Sequence, residues 1–145
     1  MAALETLSNP AASVSRDAAA RLIAVVLAAI AREEFEGSVA VVDRAGTLRA
    51  FASTDGARWL TVDLAIGKAW TAASLGHPTG LWNKLSADPA FAPMAQLPRV
   101  VAVGGGYPLF EQGQLVGAIG VSGGTTEQDE AAALAAIALV GFDAR

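Results

Sequence analysis

Apolar residues recur at helical spacing through residues 16–35, where Leu22, Val25, Val26, Ala29 and Ile30 share a face and Arg21, Arg32 and Glu36 lie elsewhere. Ser15 reads as the N-cap, Asp17 suits the positive end of the helix dipole, and Gly37 stops the helix. The period then changes. Residues 38–42 form a β-branched run and residues 47–52 a second strand-like run. Between them, Asp43-Arg44-Ala45-Gly46 suits a type I turn continuing into a glycine bulge, so the two runs predict a hairpin. Residues 58–75 predict a second helix that is apolar nearly all round. Val62, Ala65, Ile66, Ala69 and Ala73 form one stripe, and Leu64, Trp70, Ala72 and Leu75 fill other faces, which implies burial on more than one side. A short helix at 81–85 and a proline-rich stretch with Pro89, Pro93 and Pro98 follow.

The last third predicts a strand at 100–103, a triple glycine, and a hairpin of 107–111 with 114–122 across Gln112-Gly113. A final helix at 126–140 is introduced by Thr125 and Gln128 at capping-box spacing. The expected fold is therefore α/β of the α+β type. It is a single domain at 15–145 with a largely antiparallel five-stranded sheet flanked by helices, after a loose Ala/Ser lead-in at 1–14.

Composition narrows the function classes. The chain has 145 residues and no cysteine, which removes disulfides, thiolate metal sites and a cysteine nucleophile. Its formal charge is −4, and the ten Lys and Arg residues are scattered, so nucleic acid is an unexpected partner. The first 15 residues lack the basic and apolar regions of a signal peptide. The longest apolar run, 22–31, falls well short of the ~20 residues that span a bilayer. A cytoplasmic protein without a membrane partner is the expectation. With 53% hydrophobic and only 17% charged residues, part of the surface is expected to be covered by other copies of the chain.

Ordered motifs carry a resemblance. The chain reads SVAVVDRAGTL at 38–48, DG at 55–56, DLAIGKAWTAA at 63–73, GGGYP at 104–108, GAIGVSGG at 117–124 and QDE at 128–130. In that order and spacing the set resembles the GlcG/HbpS family, also called the haem-degrading, PduO C-terminal or DUF336 family, over about residues 16–140. The resemblance implies a sheet flanked by helices, homo-oligomers, and in some members the binding of haem or another tetrapyrrole. The axial haem ligand is not among the shared motifs, so none is carried over. Where members often read Arg-Pro-Thr, this chain has His77-Pro78-Thr79.

Two function classes follow. One is a small-molecule-binding protein, holding haem or a related flat anionic ligand. The other is a cofactor-free isomerase or lyase acting on a small carbonyl or carboxylate compound. Lys68 is the one charge within the apolar stretch 64–75. Asp63 lies ~140° away around the helix, so Lys68 either snorkels outward or meets an acid or ligand brought by another segment. In the enzyme reading Lys68, Asp55 or His77 carries the proton. Each has a structural alternative: an ion pair for Lys68, a turn former for Asp55, a solvated turn residue for His77. His77 is the sole histidine and hence the candidate axial or metal ligand, although one histidine without cysteine does not make a zinc site. Gly104, Gly105, Gly106 and Tyr107 are the candidate ligand wall, with glycine loop punctuation as the alternative. Ser122, Gly123, Gly124 and Asp129 flank a helix start that suits an anion or is simply capped. Trp59, Trp70, Trp82 and Tyr107 can stack on a flat ligand or serve as core and interface.

Overall fold

The computed structural model describes residues 3–143. In chain order these form α1 (Arg16–Arg32), β1 (Ser38–Asp43), β2 (Leu48–Ser53), α2 (Trp59–Leu75), α3 (Thr79–Leu85), α4 (Ala92–Ala95), β3 (Gly106–Glu111), β4 (Gln114–Ser122) and α5 (Thr126–Val140). The strands make one antiparallel sheet in the order β2-β1-β4-β3. Local signals act as the spacing predicts. Ser15 Oγ accepts from Ala18 N, Thr125 and Gln128 close a capping box, and Gly46 takes φ +83° in the β1–β2 turn.

The sheet is sandwiched between α1 with α5 on one face and α2 on the other. Because β1 lies in the middle, both of its faces are buried. Val39 and Val41 join Leu22, Val26, Ile30, Ile119, Val121 and Ile137 in the larger core. Ala40 and Val42 turn the other way, with Ala118, against Ala65, Ala69, Ala72 and Ala73 of α2. The α2 side is built from alanine and glycine, so the helix lies close to the sheet. At Gly120 the approach is closest: a Cβ there would collide with the Ala65 carbonyl and come within 2.7 Å of Ala69 N.

The sheet has four strands among the described residues, not five. Residues 100–103 form no strand because helical side chains take their main-chain groups. Thr71 Oγ1 accepts from Val101 N, Thr79 Oγ1 donates to Val103 O, and Asn83 Nδ2 donates to Ala102 O. A β-branched run becomes a strand only where a ladder partner is free. Here the run is laid along α2, with Val101 filling the notch left by Gly67. The proline-rich stretch contributes one short helix, α4, and α2 leaves Trp59 and Leu60 exposed at its start.

Replacing Gly120 by valine should cost about 3 kcal/mol of stability, since a branched side chain would have to push α2 off the sheet. Urea unfolding of Gly120→Val against the parent chain checks this. An unchanged midpoint would mean that α2 is not held at that spacing.

Candidate functional site

Lys68 lies on the sheet-facing side of α2 and is only 2% exposed. A buried ammonium needs strong acceptors, and two come from elements distant in sequence. Nζ donates to the Val121 carbonyl of β4 at 2.8 Å and to Asp129 Oδ2 of α5 at 3.3 Å. The other oxygen of Asp129 accepts from Gly124 N at 3.0 Å, which fixes the loop entering α5. Burial pushes the Lys68 ammonium below its ordinary pKa, and the Asp129 charge, its hydrogen bond and the Glu130 charge pull it partly back. Burial likewise raises the Asp129 carboxyl, while Lys68 and the Gly124 and Gly123 amides oppose the rise.

The triple glycine closes over this pair. Gly105 adopts φ +124°, and a Cβ on it would stand 2.9 Å from Lys68 Nζ and 3.2 Å from Asp129 Cβ. Only glycine meets both demands. Gly106 N donates to Thr79 Oγ1 at 2.9 Å, and the Gly105 carbonyl accepts from Val121 N at 3.0 Å. Glu130 fills the space a Gly104 side chain would need and accepts a hydrogen bond from Tyr107. Burial, then Glu130, push the Tyr107 phenol up to about 12, so it remains a neutral hydroxyl. Gly104, Gly105, Gly106, Tyr107, Lys68 and Asp129 thus come together in one packed polar cluster.

The remaining candidates lie elsewhere. Asp55 is exposed in the turn after β2, and His77 is exposed between α2 and α3. Ser122 is buried at the end of β4, and Gly123, whose amide faces Asp129 with that of Gly124, turns the chain at φ +132°.

Two cavities open at opposite ends of α2. At its C-terminal end an apolar groove of about 160 Å³ is walled by Trp70, Leu75, Trp82, Met94, Leu97 and Val100. The hydroxyls of Thr71 and Ser74, which also line it, are spent on the Arg99 and Trp70 carbonyls. The Arg99 guanidinium stacks 4.2 Å from the Trp70 ring centroid. The buried Trp82 indole N–H has no acceptor among the described residues. At the N-terminal end of α2 a polar cavity of about 470 Å³ is lined by Glu36, Gly56, Arg58, Thr61 and Gly123. Sequence reasoning missed Arg58, Thr61, Met94 and Arg99, because their roles depend on segments brought together by the fold and carry no spacing signal.

A model of the family described as haem degrading protein HbpS-like matches residues 14–138. The uncharacterized 15.0 kDa protein of the dhaT-dhaS intergenic region of Citrobacter freundii is 37% identical over 92 residues, 61% of this chain and 65% of that protein. The corrinoid adenosyltransferase PduO of the same organism is 36% identical over 110 residues, 70% of this chain but only 31% of that enzyme. Among solved structures, Klebsiella pneumoniae protein ORFY of the DUF336 family superposes with a TM-score of 0.90 at 28% identity, covering 95% of this chain and 97% of that one. A PduOC–haem complex superposes with a TM-score of 0.86 at 28% identity, covering 90% and 97%.

Lys68→Met should lose about 3–5 kcal/mol, because it leaves the Asp129 carboxylate buried and unpaired; adding Asp129→Asn should restore part of the loss. The pH dependence has a definite sign. With its pKa raised in the fold, Asp129 contributes stability that falls as pH climbs above the unfolded value of about 3.8. With its pKa lowered, Lys68 contributes stability that rises as pH climbs toward 10.5. Chemical unfolding across pH should show both slopes in the parent chain and neither in the double variant. Identical profiles would remove the pair as their source.

Proposed function

The chain belongs to the HbpS-like family, and from that premise we propose that it binds a small flat anionic ligand, haem in particular, at the apolar groove beside His77. The observation that carries the reading is the placement of the sole histidine, two residues beyond Leu75, a wall of that groove. The likeness to the PduOC–haem complex supports it.

A haem site needs an axial donor, flat apolar walls and partners for the propionates. His77 is exposed and, within this chain, the natural donor. Met94, 42% exposed on α4, is the other soft donor at the groove. Trp70 and Trp82 give aromatic surface, and the Arg99 guanidinium stacked on Trp70 is a donor for carboxylates. Tyr107 is less suited, because its phenol keeps its proton. When bound, haem would supply the redox and ligand-exchange chemistry of its iron. The protein's part is to hold the ring edge and the carboxylates.

The groove is smaller than the roughly 300–1,000 Å³ of ordinary ligand pockets. The ring would therefore extend beyond it, which fits a site partly covered by a second copy of the chain. A homo-oligomer is supported by Trp59 and Leu60, 92% and 67% exposed on one protomer. The enzyme reading finds less support: Lys68 is enclosed, with two of its donors engaged, and Asp55 and His77 stand away from it in exposed turns.

Titration with haemin should produce a saturable Soret band, and His77→Ala should shift or abolish it. A band unchanged by His77→Ala would move the ligand elsewhere, Met94 being next, and no saturable band would end the haem reading.

A further inference from the structure

The polar cavity at the start of α2 lies at the opposite end of that helix from the groove beside His77, and it has the chemistry of a second site. Arg58 occupies the N-cap position, and no side chain caps the helix. The amides of Trp59 and Leu60 have no acceptor among the described residues, and no acid stands in the first turn. The helix end is therefore a ready pole for negative charge.

Thr61, which lines the cavity, belongs to an oriented chain of hydroxyls. Thr61 Oγ1 donates to the Arg58 carbonyl at 2.6 Å, so toward Ser38 Oγ, 2.9 Å away, it acts as acceptor. Ser38 then spends its proton on Thr61 and accepts from Ser53 Oγ at 2.6 Å. Ser122 stands directly opposite Ser38 in the β1–β4 ladder. Side chains facing each other across a ladder share a face of the sheet, so Ser122 points, like Ser38, toward the first turns of α2. It is only 4% exposed, and its hydroxyl makes no hydrogen bond to any described residue. The hydroxyl is not sealed in, however, since it is absent from the fully enclosed unpaired atoms. This nearly buried hydroxyl has no partner among the described residues and stands beside a cavity lined by the very next residue, Gly123, where it is free to meet a bound molecule.

One acidic group faces the same space. Glu36 lines the cavity, and its Oε2 accepts from Gly56 N at 3.3 Å. A simple anion would be repelled by it; a ligand that also carries a hydroxyl donor would not. We propose that this cavity binds a small oxyanion bearing a hydroxyl group, such as a short hydroxycarboxylate. The oxyanion would lie on Arg58, the Trp59 and Leu60 amides and Ser122, and the hydroxyl would donate to Glu36.

The test is an amide NMR titration of the full chain with lactate, propionate and inorganic phosphate as probes. Lactate should shift the amides of Gly56, Trp59, Leu60 and Gly123 saturably. Arg58→Gln should raise the midpoint by about tenfold or more, the worth of one charge-assisted hydrogen bond. Propionate, which lacks the hydroxyl, should bind about tenfold more weakly. The Soret response to haemin should be unchanged in Arg58→Gln, which separates this site from the groove beside His77. Equal binding of propionate or phosphate would overturn the hydroxyl requirement. Absence of saturable shifts with all three probes, or a lactate midpoint unmoved in Arg58→Gln, would overturn the site.

Discussion

Burying an ammonium between a helix and a sheet is costly unless its acceptors are built around it, and much of this molecule is arranged to supply them. Lys68 is held by the Val121 carbonyl and Asp129. Asp129 in turn holds Gly124, and Gly105 passes close over the ammonium because it has no side chain. One interaction thereby ties α2, β4, the start of α5 and the triple-glycine loop together. Gly105 and Gly124 stand beside it because backbone, not side chain, must come close at those points.

The same close approach keeps ligands off the sheet-facing side of α2, and the groove and the polar cavity open at its two ends. The middle of the helix is pressed onto Ala40, Ala118 and Gly120, leaving no room for a ligand between helix and sheet. At the C-terminal end the helix runs beyond this contact, and Trp70, Trp82 and the proline-rich stretch form an apolar groove. At the N-terminal end, Arg58, Thr61 and Glu36 frame a polar cavity. In the proposed readings one end takes a flat apolar ring with acidic substituents and the other a small polar molecule.

The elements were legible because each rests on a local signal. Helix spacing, the Thr125–Gln128 box and Gly46 in its turn all act within a few residues. The run at 100–103 was misleading for the same reason: its composition is strand-like, but whether a strand forms depends on a free sheet edge. Thr71, Thr79 and Asn83 had already taken its main-chain groups. The family motifs contain the residues of the buried cluster without giving their arrangement. Lys68 and Asp129 each stood out, one as a charge in an apolar helix and the other as an acid at a helix start. Nothing in their spacing said that they meet, 61 positions apart.

Sequence alone therefore determined the family, four of the five helices among the described residues and both hairpins, because periodicity, caps and turn residues act over short distances. Tertiary structure alone decided which buried charges pair, which glycines are required by close contact, and where cavities open. Those properties depend on segments brought together across the chain, and no local pattern records which segments they are.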